Sequence, residues 1–301
     1  MSSAYTLRSP TLVTPAVATP GPGATDERAR GLGRRREATA HGRRARADGN
    51  DRPTPGRACA ILVVVSITLA ELAAPLRECG SEVLSLAAPM LRYRSLNTTE
   101  YVAASMDWCA QVWMSVEDLP GYDGEQVCVG CVDFLTIRLG RELIGDDVLD
   151  SHSQDAVEFA PLFEGAWLAG AVAEQFDATT INDVLVVLSV ELASPLRGHR
   201  LGAWMVSEIS DRMLSSHDGL IVLSPAADTP PSDQLAARRL ERYWRTAGVA
   251  PIAAHPRFLG QASAYTTLED AREGLAATAD LRLQVTAAEL PHHNDHHRDH
   301  Q

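Results

Sequence analysis

Between residues 127 and 265 the chain alternates strand-like and helix-like hydrophobic patterns, and outside that stretch the pattern weakens. Val127 to Leu139 interleaves Val127, Val129, Cys131 and Asp133 with Cys128, Gly130, Val132 and Phe134, which predicts an extended strand covered on both faces. Asp155 to Phe176 sets Phe159, Phe163, Ala166 and Ala169 on one helical stripe, widened by Leu162, Leu168, Val172 and Phe176. A helix is predicted there, although Gly165 and Gly170 weaken it. Val184 to Leu192 reads VLVVLSVEL, a near-continuous apolar run expected of a central strand. Leu201 to Leu214 repeats Leu201, Met205, Ile209 and Met213 at helical spacing, and Leu220 to Leu223 is a short buried strand. Pro225, Pro230 and Pro231 mark Ser224 to Ser232 as a loop, after which Ser232 caps a helix Asp233 to Ala247 that stops at Gly248. Val249 to Ala254 and Arg257 to Tyr265 complete the order strand, helix, strand, helix, strand, helix, strand, strand, which predicts a mixed α/β sheet.

Upstream, Ala58 to Ala74 is too short for a membrane span, which needs about 20 apolar residues, and it contains Glu71. It reads as a strand Ile61 to Ile67 leading into a helix. From Leu69 to Tyr93, Leu72, Leu76, Val83, Leu84 and Leu91 recur near helical spacing around Gly80 and Pro89, predicting helical packing ahead of the main domain. Residues 1–57 are rich in Pro, Gly, Ala, Thr and Arg, with too little apolar content to offset the entropy of ordering, and residues 286–301 form a His-rich tail. The expected organisation is a disordered tail over 1–57, a domain over 58–285 with its core at 127–265, and a second disordered tail.

The formal charge of −12 sharpens this division, because residues 1–57 hold 11 Arg against 5 acids and the remainder 16 Arg against 34 acids. An acidic body disfavours phosphate-backbone binding, so no nucleic-acid partner is expected for the folded part, and no membrane partner either. The Arg-rich cluster Arg34 to Arg46 is read as a solvated tail. All 27 basic residues are arginine, a bias that fits a GC-rich, bacterial genome. Five dispersed cysteines are unlike a disulfide framework and point to a reducing cytoplasm. Cys128 and Cys131 have metal-ligand spacing, but in a regular strand their side chains diverge unless Gly130 makes a bulge, and no second pair exists, so no metal is expected. His292, His293, His296, His297 and His300 are read as adventitious binders.

The sharpest chemical feature is the strand VLVVLSVEL, the turn ASPL and then RGHRLGA running into an amphipathic helix. Small residues and cations at a helix N-terminus make an anion seat, and a pyrophosphate is its natural occupant. A plain strand-to-helix turn is the alternative on local sequence alone. The run resembles motif A of the GNAT N-acetyltransferase superfamily: Arg or Gln, two residues, Gly, one residue, then Gly or Ala. Arg197 fills the first position and Gly202 the last, while Arg200 replaces the middle glycine.

That resemblance covers roughly half the chain. It implies a GNAT-like, mostly antiparallel central sheet flanked by helices, with a splayed central strand before the pyrophosphate loop. It also implies acetyl-CoA as cosubstrate. Main-chain groups of Val190, Leu192 and Ala193 would then pair with the pantetheine arm, and Arg197, Gly198, His199, Arg200, Leu201, Gly202 and Ala203 would seat the pyrophosphate. The implied activity is transfer of acetyl to a small-molecule or peptide amine by direct attack, with acceptor specificity in Leu69 to Met114 and Pro256 to Tyr265. An inactive acyl-CoA-binding or interaction module is the alternative, and a homodimer is left open. The family's second motif departs here, with Ala237 at its asparagine and Trp244 at its proton-donating tyrosine; the adjacent Tyr243 is the candidate catalytic tyrosine, although neighbours on a helix point about 100° apart. An attacking amine must lose a proton, and Glu191, at the right depth on the central strand, is the first candidate base, ahead of Glu158 and Asp133.

Overall fold

The computed structural model describes residues 67–69, 71–96, 103–225 and 234–290. The expected disordered tail 1–57, most of the strand 61–67, the loop 226–232 with its Ser232 cap, and the histidine tail lie outside these residues. In chain order the described elements are β1 (Ile67–Thr68), α1 (Ala73–Glu78), β2 (Val83–Ser95), β3 (Ser105–Glu117) and β4 (Gln126–Arg138). A wide helical turn Ile144–Leu149 follows, then α2 (Asp150–His152), α3 (Gln154–Val157), the hairpin β5 (Phe163–Glu164) and β6 (Trp167–Leu168), and α4 (Gly170–Ala173). The remainder is β7 (Asp183–Leu192), α5 (Leu201–Met213), β8 (Gly219–Leu223), α6 (Gln234–Trp244), β9 (Ala250–Ile252), β10 (His255–Ala262), α7 (Thr267–Leu275) and β11 (Arg282–Thr286).

Among the described residues, nine strands form one sheet in the order β11-β2-β3-β4-β7-β8-β10-β9, with β1 paired to β4 outside this path. Only β7 with β8 and β1 with β4 run parallel, so the fold is mixed α/β with a mostly antiparallel sheet flanked by helices. One face is covered by α1, α5, α6 and α7 through Leu72, Leu76, Leu201, Met205, Trp244 and Leu275. On the other face residues 144–176 pack Ile144, Leu149, Phe159, Leu162 and Phe176 on Leu135, Ile137, Val184, Val186 and Val222.

The strands and helices expected between Val184 and Tyr265 are present, as is the strand at Val127. Two expectations fail. Helical packing from Leu69 to Tyr93 ends at Glu78, because Gly80 turns the chain with φ 67° and Val83–Ser95 is then a long strand in which Leu84 and Leu86 are buried. The expected specificity region Leu69 to Met114 is therefore largely β2 and β3. The helix expected over Asp155 to Phe176 breaks into short pieces around a hairpin. Pro161 opens a short 3-10 turn, and Gly165 adopts φ 61° in the hairpin turn, so the apolar stripe is buried by turns rather than by one helix. The sheet also extends past Tyr265, since α7 returns the chain to add β11 beside β2.

Two irregularities shape the centre of the sheet. Val112 pairs with Gly130 and Trp113 with Cys128, so Val129 is an extra residue in β4. That bulge is the condition under which the two cysteines do not diverge: Cys128 pairs with Trp113 and Cys131 with Gln111, so both lie on one face. Gly130 is required there, because a Cβ would meet the Glu191 carbonyl oxygen and approach Leu192 Cδ2 to 2.7 Å. Replacing Gly130 with Ala should lower unfolding free energy by about 1–3 kcal/mol through overpacking, measured by urea denaturation, and an unchanged midpoint would contradict so tight a β4–β7 contact.

Candidate functional site

The second irregularity builds the site. Asp133 pairs with Ser189 and Phe134 with Val187, leaving Leu188 as an extra residue in β7. At that same level the parallel pairing with β8 ends, its last partners being Val187 and Leu223. A bulge bends its strand and strengthens its twist, so β7 leaves β8 where Leu188 is inserted. Residues 188–192 continue along β4 with no strand on their β8 side among the described residues.

The bulge also fixes what each residue presents. Leu185 and Val187 pack on the α5 side, and after the extra residue Val190 and Leu192 do so again. Ser189 and Glu191 are sent to the opposite face, as strand alternation predicts for Glu191. The Ala193 amide donates to the Val129 carbonyl at 3.0 Å. By the alternation of an antiparallel ladder, main-chain groups of Glu191 and the Ala193 amide point at β4, and those of Val190 and Leu192 point to the unpaired side. Ala193 is fully engaged, since its carbonyl accepts from Leu196 at 2.9 Å. Arg197 lies across this edge, its Nε donating to the Leu192 carbonyl at 3.1 Å.

From Leu192 the chain makes a short turn through Ser194–Leu196 and enters α5 within eight residues. Gly198 has φ 87°, and Arg200, the residue at the helix entry, is left-handed with φ 60°. This conformation explains why a glycine suits the Arg200 position, because a side chain there costs about 1 kcal/mol. His199 and Arg200 are exposed, and Leu201 is buried under the helix.

The first amides of a helix have no partner inside it. Here the Ala203 amide donates to the Tyr243 hydroxyl at 2.8 Å, and the Gly202 amide also converges on that oxygen. Tyr243 comes from the last turn of α6, and its ring meets Trp244 edge-on at 4.9 Å between centroids. Burial pushes the Tyr243 phenol above its ordinary range, against the two amides that favour the phenolate. Trp244 is buried in the core.

On the opposite face the pairing register lays out two polar rows. One runs Arg94, Cys109, Asp133, Ser189 and the other Arg92, Gln111, Cys131, Glu191. Ser189 donates to Asp133 at 3.2 Å, and Arg92 stacks 4.2 Å from the Trp113 ring centroid. Glu191 is exposed beside Cys131, with Asp133 in the neighbouring row. Glu158 stands apart, exposed after α3, its carbonyl accepting from Arg257 at 2.7 Å. Further along this face Ser105 Oγ and His152 Nε2 are 3.0 Å apart near Asp107, and burial holds the imidazole below its ordinary value. The Ser189 and Leu188 geometry has no signal in one sequence, because it depends on which residue of β4 each one faces.

A hollow of about 360 Å³ bordered by Ser210, Asp211, His217, Tyr265 and Arg272 lies at the far end of α5. Its nearest lining residue, Ser207, is separated from the helix entry at Leu201 by about 9 Å of helix. Among the described residues no three His, Cys, Asp or Glu side chains are grouped to hold a metal, and no helix is long and apolar enough to cross a membrane. No family model, curated protein or solved structure matches the chain.

Two substitutions probe the helix entry. Tyr243→Phe should cost about 1 kcal/mol by stranding the Ala203 amide, read as a lower urea midpoint, and an unshifted midpoint would contradict the hydrogen bond. Arg200→Gly should raise the thermal midpoint by relieving the left-handed side chain, a gain of up to about 1 kcal/mol, whereas a drop would mean that the arginine holds the turn.

Proposed function

We propose that the chain is a GNAT-type N-acetyltransferase that uses acetyl-CoA as cosubstrate and an amine, small molecule or peptide, as acceptor. The observation that carries this reading is the junction at Leu192. There a strand edge with outward main-chain groups at Val190 and Leu192 runs directly into a helix entry whose amides converge on an oxygen. The Tyr243 hydroxyl stands in for a phosphate oxygen, so the amides of Gly202 and Ala203 are aimed to receive one. The unpaired edge offers donors and acceptors suited to an amide-bearing arm.

Acetyl-CoA supplies the acetyl group as an activated thioester. In this reading Gly202 and Ala203 hold its pyrophosphate once the Tyr243 hydroxyl is displaced, with Arg197, Gly198, His199, Arg200 and Leu201 forming the surrounding loop. Val190 and Leu192 hold the arm, and Arg197 gives up the Leu192 carbonyl to it. Ala193 contributes through its turn rather than its own main-chain groups, which are already paired. Glu191, on the far face, takes the proton from the acceptor ammonium so that the neutral amine attacks, and no covalent enzyme intermediate forms. The acidic pair Asp133 and Glu191 suits a cationic acceptor, and a bacterial cytoplasm is the proposed setting.

A second reading is an acyl-CoA-binding protein without catalysis. It is favoured by the engagement of both aromatic side chains near the family's proton-donor position, Trp244 in the core and Tyr243 at Ala203. Calorimetric titration of the full chain with acetyl-CoA and with CoA, beside a panel of amines, separates the two. Micromolar binding, about 8 kcal/mol, is expected, lost in Gly202→Trp, whose side chain starts from a Cβ 2.9 Å from the Tyr243 oxygen. Turnover that falls roughly a hundredfold or more in Glu191→Gln supports the enzyme. Binding without turnover supports the second reading, and no binding contradicts both.

A further inference from the structure

The polar face holds a pair of thiols that the proposed reaction does not use. Cys109 on β3 and Cys131 on β4 are cross-strand diagonal neighbours, since Cys109 pairs with Asp133 and Gln111 with Cys131. Both point to the same face, both are half-buried, and the Cys109 thiol donates a hydrogen bond to the Cys131 sulfur. The Val129 bulge lies one residue beyond Gly130 and increases the local twist of this strand pair. Cys128, the third thiol on this face, is turned to the Gly130 carbonyl, 3.6 Å away.

We propose that Cys109 and Cys131 form an oxidisable dithiol, a site at which a hydroperoxide installs a reversible cross-strand disulfide. Cys131 acts as the attacking sulfur and the neighbouring Cys109 thiol as the resolving one. Accepting the Cys109 hydrogen bond lowers the Cys131 pKa, overcoming burial and the nearby carboxylates of Asp133 and Glu191. Donation and burial push Cys109 up, so it remains a thiol. The Cys131 thiolate attacks one peroxide oxygen, the O–O bond breaks, and the departing oxide takes up a proton, leaving Cys131 as a sulfenic acid. The Cys109 sulfur then attacks the Cys131 sulfur, the S–O bond breaks, and hydroxide leaves as water with the Cys109 proton. Two thiols are oxidised by two electrons, and the peroxide is reduced.

Diagonal strand neighbours sit about 7–8 Å apart at Cα, beyond the roughly 4.4–6.8 Å of a relaxed disulfide, so closing the bond requires the backbone to move at the bulge. The bond therefore forms with local distortion at the bulge and is reduced more readily than a relaxed structural disulfide. It links β3 to β4 beside Glu191, but its formation does not depend on what binds at α5.

The test treats the full chain with equimolar hydrogen peroxide and maps its peptides by mass spectrometry without reduction. A Cys109–Cys131 cross-link, reversed by glutathione, is expected, and Cys109→Ser should leave a Cys131 sulfenic acid that dimedone traps. A cross-link joining Cys128, Cys59 or Cys79 instead, a sulfinic acid at Cys131 with Cys109 still reduced, or no oxidation of either thiol would overturn the proposal.

Discussion

The extra residue Leu188 in β7 is the constraint on which the site depends. Without it β7 would keep strict alternation, and Val190 and Leu192 would leave the α5 face while Ser189 and Glu191 entered it. With it, five residues of β7 leave β8 while remaining on β4, and their outward main-chain groups are carried to the entry of α5. The close approach of Gly130 to Glu191 and Leu192 holds this departing segment against β4. β1 then pairs with β4 at Val127 and Cys128, past the end of the β7 ladder at Gly130.

The sheet consequently serves two purposes on its two faces. The α5 face is apolar and continuous, packed from α1 to α7 around Met114, Val132, Phe134 and Met205. The opposite face is apolar only under residues 144–176 and becomes polar toward Cys109, Cys131, Asp133 and Glu191. Such half-buried groups are tolerable because several are partnered, Ser189 with Asp133 and Cys109 with Cys131. The entry of α5 on one side and the polar floor on the other meet across a single strand, and under the proposed function they would hold the two ligands next to each other.

Much of this was legible in sequence wherever pattern and length agreed. VLVVLSVEL could only be a central strand, and LGAWMVSEISDRM could only be a helix packed on it. The side of Glu191 opposite Val190 followed from alternation, and the helix entry followed from Arg197 to Ala203. Pattern failed where short apolar runs fit two periods. Leu76, Val83, Leu84 and Leu91 mimic a helix, but Gly80 ends α1 and the strand register belongs to β2. Phe159 to Phe176 mimics another, because turns held by Pro161 and Gly165 can bury the same side chains. The Tyr243 hydroxyl on Ala203 was illegible for a different reason: the two residues lie 40 apart in sequence with β8 between their helices, and only tertiary packing brings the phenol to the amide.

Hydrogen exchange with and without CoA reads the Leu188–Ala203 amides themselves. If CoA seats at the β7–α5 junction, protection concentrates in that segment, with none at the hollow bordered by Ser210 and Arg272. Unchanged exchange across Leu188–Ala203 at saturating CoA, or protection confined to the far end of α5, would contradict that seating.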